Sequence, residues 1–287
     1  MTLASCRSIE ALLAPMAWAT FVAEHYARRP VYVAGAPGRS AGLMSWPQLE
    51  AALASHRVTA PRLLPVGDRA PAPITTTRRD LTGQRVTGLD PVALAQQLHD
   101  GHALVLREVE QVVPGLRSVA DAVARGFGRP VEVEVTAAWG EAIHAVHADP
   151  RERFIVQVAG RSRWRDLGRS EPADPADGSG ELELAIDDVL YIPGDHAFAV
   201  RGGEPSLYVT LAFTSATGVD LVTWFAHAVA DDLIDARLPC VADPIARRDD
   251  LRRLRERVLA LLDDALLDRY LAAADPLAVA PRITLPR

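Results

Sequence analysis

The feature that most constrains the fold is a series of short segments with two-residue hydrophobic alternation, which begins near residue 130. The first is VEVEVT at 131–136, and the next are RFIVQVAG at 153–160, DVLYI at 188–192 and SLYVTLAF at 206–213. Neighbouring side chains of a strand point to opposite faces, so strict alternation is typical of a strand with one buried face. Closely spaced strands with short turns between most of them favour an antiparallel sandwich or barrel.

Helical patterns surround these strands. Apolar residues recur at a roughly helical period in the segments 8–27, 46–53, 90–99, 115–126, 220–238 and 248–274. The last segment carries an apolar stripe that needs a partner surface, which is either the barrel or a second subunit. We therefore expect a mainly β protein with flanking helices. Its predicted parts are an N-terminal helical and loop portion at 1–85, a barrel at 86–218 and a C-terminal helical region at 219–287.

Composition removes several classes of function. The formal net charge of −6 argues against a general nucleic-acid binder. All 31 basic residues are arginine, so a P-loop lysine and a Schiff-base lysine are excluded. Two cysteines cannot build a disulfide framework, and no apolar run approaches the ~20 residues of a membrane span. The N-terminal sequence lacks the apolar core of a secretory signal, so we expect a cytoplasmic protein without a membrane partner.

The sharpest local signal for chemistry is His147-Ala148-Asp149, which stands beside a strand pattern. On an extended segment, residues two apart face the same side, so the imidazole and the carboxylate would converge as two ligands of a 2-His-1-carboxylate metal site. A third ligand would come from another strand, and His196, which follows DVLYIP, is the candidate. The alternative is a surface histidine and aspartate at the end of a strand.

The stretch from His147 to Trp164, HADPRERFIVQVAGRSRW, resembles the JmjC-type cupins of the bacterial ribosomal-oxygenase-like class. DDVLYIPGD at 187–195 and EPSLYVTLAF at 204–213 resemble later segments of that family, and the similarity extends over at least 20–218. The resemblance implies a double-stranded β-helix flanked by helices, and C-terminal helices that form a homodimer. It also implies Fe(II)- and 2-oxoglutarate-dependent hydroxylation of a protein or peptide side chain.

Carried over residue by residue, the resemblance implies that His147 and Asp149 are the first two metal ligands. The family places its third ligand five residues after the proline that here is Pro193, and that position is Phe198. His196 lies only three residues after Pro193. A shortened turn would bring His196 into the ligand place, so we predict a metal site of His147, Asp149 and His196 with Fe(II) as the native ion.

The residues implied for the cosubstrate also depart from the family pattern. Ser162 stands where the family commonly has a lysine or arginine that pairs with 2-oxoglutarate, so replacing it by arginine is expected to tighten cosubstrate binding. Thr136 lies on the strand whose family counterpart lines the cosubstrate pocket, and Arg201 could supply the missing positive charge. We assign these three residues to cofactor binding.

The substrate cleft is assigned to Trp139 and His144, which lie on the segment leading to the His-x-Asp motif, and to Tyr208.

Two functions remain open from the sequence. The first is an active iron-dependent oxygenase that acts on a peptide, a ribosomal or other protein, or a specialised metabolite. The second is a degenerate relative that keeps the barrel but has lost 2-oxoglutarate chemistry, and that serves as a binding or scaffold protein. A third, weaker alternative keeps a metal and uses another cosubstrate or none. Metal content and succinate formation distinguish them.

Overall fold

The computed structural model describes residues 8–55, 63–66, 70–140, 143–146, 149–168, 180–236 and 244–273. The chain divides into two compact units, Met1–Ser215 and Ala216–Arg287. The first unit contains the strands and the second contains only helices among its described residues.

A large antiparallel sheet forms the centre of the first unit. In spatial order its strands are β1 (Val31–Val33), β11 (Val189–Ile192), β8 (Arg151–Ala159), β13 (Ser206–Thr214), β6 (Glu132–Ala138), β5 (Ala103–Leu106) and β2 (Leu63–Val66). The central strand β13 pairs with β6 on one side and with β8 on the other. Buried residues occupy nearly every position of β8 and β13, because both faces of the sheet are covered.

A second antiparallel sheet covers one of those faces. Its strands are β10 (Leu182–Leu184), β9 (Ser162–Gly168), β12 (Ala197–Arg201) and β7 (Ile143–Val146). An apolar cluster joins the two sheets: Ile155 and Tyr208 come from the large sheet, while Trp164 and Phe198 come from the small one. The predicted antiparallel barrel is thus confirmed. A separate hairpin of β3 (Thr75–Arg79) and β4 (Arg85–Leu89) lies outside both sheets.

Helices cover the other face of the large sheet. They are α1 (Ile9–Leu13), α2 (Trp18–Glu24), α3 (Trp46–Ser55), α4 (Pro91–His99) and α5 (Pro114–Phe127). Their apolar side chains form one core with Phe154, Tyr191 and Phe213 of the sheet. The sequence pattern over 8–27 predicts one helix, but the structure has two, because a proline at position 15 cannot continue the hydrogen-bonding of α1.

The second unit contains α6 (Gly218–Ala228), α7 (Ala230–Leu233), α8 (Pro244–Leu261) and α9 (Asp264–Ala273). The predicted single helix over 248–274 is divided, because the Asp263 carboxylate accepts a hydrogen bond from the backbone N–H of Leu266 at 2.9 Å and caps α9. The predicted helix over 220–238 is interrupted at Val229, whose backbone has ψ 8°. None of the described helices is both long and apolar enough to cross a membrane.

Candidate functional site

A cavity of about 250 Å³ lies on the face of the large sheet that the small sheet covers. Five adjacent strands line it with every second residue, as the two-residue period of a strand requires. These lining residues are Leu64, Val66, Val105, Arg107, Glu134, Thr136, Tyr208, Thr210, Arg151, Arg153 and Ile155, and they are joined by Asp149 and Trp164. We call this space the barrel cavity.

The strand register places apolar and aromatic side chains at one end of the barrel cavity, its floor, and charged side chains at the other end, its mouth. Tyr208 pairs with Thr136, and Thr210 two residues further along pairs with Glu134. Arg153, two residues before Ile155 on β8, belongs to the charged side of this boundary. Tyr208 and Trp164, whose ring centroids are 5.3 Å apart, form the buried floor. The cavity is therefore polar and charged at one end and aromatic at the other.

Two arginines hold the carboxylate of Asp149. The backbone N–H of Arg151 donates to Oδ1 at 2.8 Å, and its Nε and Nη2 donate to Oδ2 at 3.1 and 2.9 Å. The Nη2 of Arg153 forms an ion pair with the same Oδ2. Burial raises the pKa of Asp149, but the hydrogen bonds from Arg151 and the charge of Arg153 outweigh it and hold this pKa below its ordinary value. Asp149 is therefore an ionised carboxylate whose Oδ2 is shared by two guanidinium groups.

A second carboxylate extends this charged group. The Oε1 atom of Glu134 lies 3.1 Å from the Nε of Arg107 and 3.5 Å from the Nη1 of Arg151. The Nη1 of Arg151 also lies 3.4 Å from Oε2 of Glu132 at the edge of the mouth. Arg107, Arg151 and Arg153 are referred to below as the arginine cluster. These arginines were not predicted as site residues from the sequence, although the alternation Asp149, Arg151, Arg153 indicates three side chains on one face of an extended segment.

The predicted third metal ligand lies on a tight turn beside Asp149. The backbone N–H of Asp195 donates to the carbonyl of Asp149 at 2.7 Å, so the turn contacts the motif directly. The Nδ1 of His196, however, lies 3.5 Å from Oδ1 of Asp166 on β9. His196 is not among the residues that line the cavity. Phe198 occupies the interior instead, where it packs in the apolar cluster with Trp164.

His147 lies outside the described residues, so the predicted triad of His147, Asp149 and His196 stays a prediction. Within the described ranges, no group of three or more histidine, cysteine, aspartate or glutamate side chains is arranged to hold a metal ion. The His144 side chain also lies outside the described part of the chain; its backbone pairs with Val200 of β12.

Ser162 is buried, with 1% of its surface exposed, and it is not among the residues that line the barrel cavity. Its Oγ donates to Oε1 of Gln157 at 2.7 Å and accepts from Nε1 of Trp164 at 2.8 Å. The hydroxyl is thus engaged both as donor and as acceptor by neighbouring side chains. Thr136, by contrast, lines the barrel cavity together with Tyr208. Burial raises the pKa of Tyr208, so its phenol stays protonated at neutral pH.

The other residues assigned from the sequence lie elsewhere. Arg201 lines a separate exposed hollow with Arg161, Arg163, Glu183 and Glu204. Trp139 is half-buried and packs against Trp46, with ring centroids 5.2 Å apart. Of the residues predicted for the metal, the cosubstrate and the substrate cleft, the structure therefore brings Asp149, Thr136 and Tyr208 together around one cavity.

No protein-family model matches the chain, and no curated protein matches it. Among solved structures, the chain is 21% identical to YcfD, a ribosomal oxygenase from Escherichia coli, over 87% of this chain and 67% of that chain, with a TM-score of 0.59. YcfD in complex with cobalt and 2-oxoglutarate, and in complex with cobalt and succinic acid, matches at the same identity over 68% of that chain, with a TM-score of 0.57. At this identity the similarity is one of fold. The resemblance found in the sequence is thus confirmed at that level, and the chain has the JmjC-type cupin fold.

Proposed function

We propose that this chain is a JmjC-type cupin that binds a small ligand in the barrel cavity and has lost iron- and 2-oxoglutarate-dependent chemistry. The observation that carries the proposal is the ion pairing of Asp149. A metal ligand must present a lone pair to the ion, but Oδ2 of Asp149 faces the guanidinium groups of Arg151 and Arg153. A cation brought to this carboxylate would meet two positive charges, and this repulsion opposes metal binding.

Two further observations support the proposal. Phe198, at the position where the resemblance implies the third metal ligand, packs into an apolar cluster and carries no donor atom. Ser162, at the position implied for the 2-oxoglutarate carboxylate, is buried and engaged by Gln157 and Trp164. The described residues therefore do not fit Fe(II) together with 2-oxoglutarate, and no step of the proposed function uses either group.

Fe(II)- and 2-oxoglutarate-dependent hydroxylation of a protein, peptide or metabolite side chain is the second candidate. It is favoured by the shared fold with YcfD, a ribosomal oxygenase that has been solved with cobalt and 2-oxoglutarate. The contact between the turn at Asp195 and the carbonyl of Asp149 also keeps His196 near the motif. In that case His147, Asp149 and His196 would hold the metal, the iron would supply the oxidising chemistry, and a ribosomal protein would be the first substrate class to examine.

Metal titration and succinate formation decide between the two candidates. The protein is titrated anaerobically with Co²⁺ and Fe(II), and succinate production from 2-oxoglutarate is measured with and without Fe(II). We expect no stoichiometric metal binding and no Fe(II)-dependent succinate. One ion per chain, with binding lost in both His147→Ala and His196→Ala, would overturn the proposal, and Fe(II)-dependent succinate in addition would support the hydroxylase.

We also propose that the chain forms a homodimer through residues 219–287 and that it is located in the cytoplasm. Apolar side chains that α8 and α9 leave exposed within the second unit, such as Leu259 and Leu271, support the dimer. A peptide, a protein or a small molecule remains the expected partner class, and neither nucleic acid nor a membrane is expected.

A further inference from the structure

The barrel cavity has a polarity gradient that the proposed function leaves unexplained. Among its described charged lining residues, the most buried side chain is a cation, since Arg153 is 5% exposed and its carboxylate partner Asp149 is 32% exposed. Glu134, at 15%, is also more exposed than Arg153. The deepest charge that a ligand meets is therefore positive, and it stands directly above the apolar floor.

The floor offers no further charged group among the described residues that line it. Ile155, Trp164 and Tyr208 are almost completely buried there, and Leu64 and Val105 join the lining from the same sheet as Ile155 and Tyr208. The charged lining consists of three arginines and two carboxylates, which leaves one positive charge in excess within the lining. Glu132, which pairs with Arg151, stands outside the lining, and its side chain is 38% exposed, so solvent partly screens its charge.

The size of the cavity limits the ligand. Its volume of about 250 Å³ exceeds the roughly 150 Å³ of an engineered cavity that binds benzene. It lies below the roughly 300–1,000 Å³ of pockets for drug-sized molecules. A molecule with a short apolar body and one anionic end matches this volume, the aromatic floor and the excess positive charge together.

We propose that the barrel cavity binds a small amphipathic carboxylate, with its apolar part on Ile155, Trp164 and Tyr208 and its carboxylate on the arginine cluster. This inference rests on the proposed function, because a metal ion bound to Asp149 would compete with Arg151 and Arg153 for its carboxylate. Guanidinium groups recognise carboxylates through charge-assisted and often bidentate hydrogen bonds, which are about twice as strong as neutral ones. Arg107 follows β5 and Arg153 lies on β8, so the two arginines approach the mouth from opposite sides of β6 and β13.

Calorimetric titration with hexanoate, hexan-1-ol and hexylamine tests the charge requirement. We expect hexanoate to bind, hexan-1-ol to bind at least tenfold more weakly, and hexylamine not to bind. Each methylene added from butanoate to hexanoate should raise the affinity about fourfold, because the apolar chain enters the floor. Equal binding of hexanoate and hexylamine, or no binding of hexanoate, would overturn the inference.

Two variants assign the binding to the cluster. Arg153→Met keeps an unbranched apolar stem and removes the guanidinium charge, and it should weaken hexanoate binding about tenfold or more. Arg163→Met removes an exposed arginine outside the cavity, and it should leave the affinity unchanged. If Arg153→Met does not fold, Arg107→Met at the more exposed edge of the mouth replaces it, with a smaller loss of affinity expected. An unchanged affinity in the folded variant contradicts the proposal.

The outcomes separate this inference from the proposed function. Fe(II)-dependent succinate formation would remove the proposed function, whatever hexanoate does. Absence of succinate formation together with absence of hexanoate binding would remove only the carboxylate inference and leave a metal-free cupin with another ligand.

Discussion

Ser162→Arg is the substitution for which the sequence and the structure predict opposite results. Compared with the family, it restores the cation that pairs with 2-oxoglutarate, and tighter cosubstrate binding is expected. In the structure, Ser162 is buried, and its hydroxyl is hydrogen-bonded to Gln157 and Trp164. An arginine there enters packed space beside Trp164. We therefore expect a strongly destabilised protein and no gain in 2-oxoglutarate affinity.

The size of the effect follows from three contributions. Loss of two hydrogen bonds of normal length costs about 1 kcal/mol each. Overpacking of a filled core costs about 1–3 kcal/mol, and a buried charge without a partner adds several kcal/mol more. The sum is about 5 kcal/mol or more, which is comparable to the total stability of about 5–15 kcal/mol of a typical domain. With about 2–4 °C lost per kcal/mol in a domain of this size, the melting temperature should fall by at least about 10 °C.

Thermal unfolding followed by circular dichroism, together with calorimetric titration of 2-oxoglutarate, measures both properties. Ser162→Ala is the matched control, because it removes only the hydrogen bonds and should lower the melting temperature by about 4–8 °C. Arg163→Ala at the neighbouring exposed position should change stability by less than about 0.5 kcal/mol. A Ser162→Arg protein that melts within about 3 °C of the wild type and binds 2-oxoglutarate more tightly would refute the reasoning.

Three further predictions concern other parts of the chain. The pKa of Asp149 is lowered in the folded state, so its ionised form stabilises the fold above the unfolded-state pKa of about 3.9. This stabilisation is lost as the pH falls further. Below about pH 4, the urea midpoint of Asp149→Asn should therefore change less with pH than that of the wild type. Gly160→Ala should lower the free energy of unfolding more than Gly168→Ala does. Both glycines have positive φ, but a Cβ at position 160 would lie 2.0 Å from a backbone carbonyl oxygen. Equal losses of unfolding free energy would show that this close approach is relieved. Light scattering at micromolar concentration should show a dimer for the wild type. The double variant Leu259→Glu with Leu271→Glu should be a monomer, because both leucines are exposed. A monomeric wild type would contradict the role of these leucines.

The strands of the barrel could be predicted from the sequence because their alternation is local. In VEVEVT, the valines and the acidic residues take opposite faces in any extended conformation, and Glu134 and Thr136 do line the cavity while Val133 and Val135 are buried in the core. The same local rule places Asp149, Arg151 and Arg153 on one side. The helix boundaries at Asp263 and Val229 could not be predicted, because they depend on a cap and on one backbone angle within otherwise continuous apolar periods.

The choice between His196 and Phe198 lay beyond the sequence. Both follow Pro193 at short distance, and a change of one residue in strand register exchanges the inward and outward faces. The structure has such an irregularity between Ala197 and Phe198, where β12 pairs with β9. Phe198 thereby faces the apolar cluster, and the His196 ring lies beside Asp166.

The sequence by itself determined that this chain forms an antiparallel barrel flanked by helices, because hydrophobic periodicity is a property of neighbouring residues. It also assigned Asp149 to the metal, Thr136 to the cosubstrate and Tyr208 to the substrate cleft; these roles stay predictions, although all three residues line the barrel cavity. Only the tertiary structure decided what surrounds them. Arg107 meets Glu134 because β5 lies beside β6, and Arg153 reaches Asp149 at the mouth of a cavity whose floor comes from other strands. Such contacts join residues that are distant in the chain, and they depend on strand order and register, which no local pattern encodes.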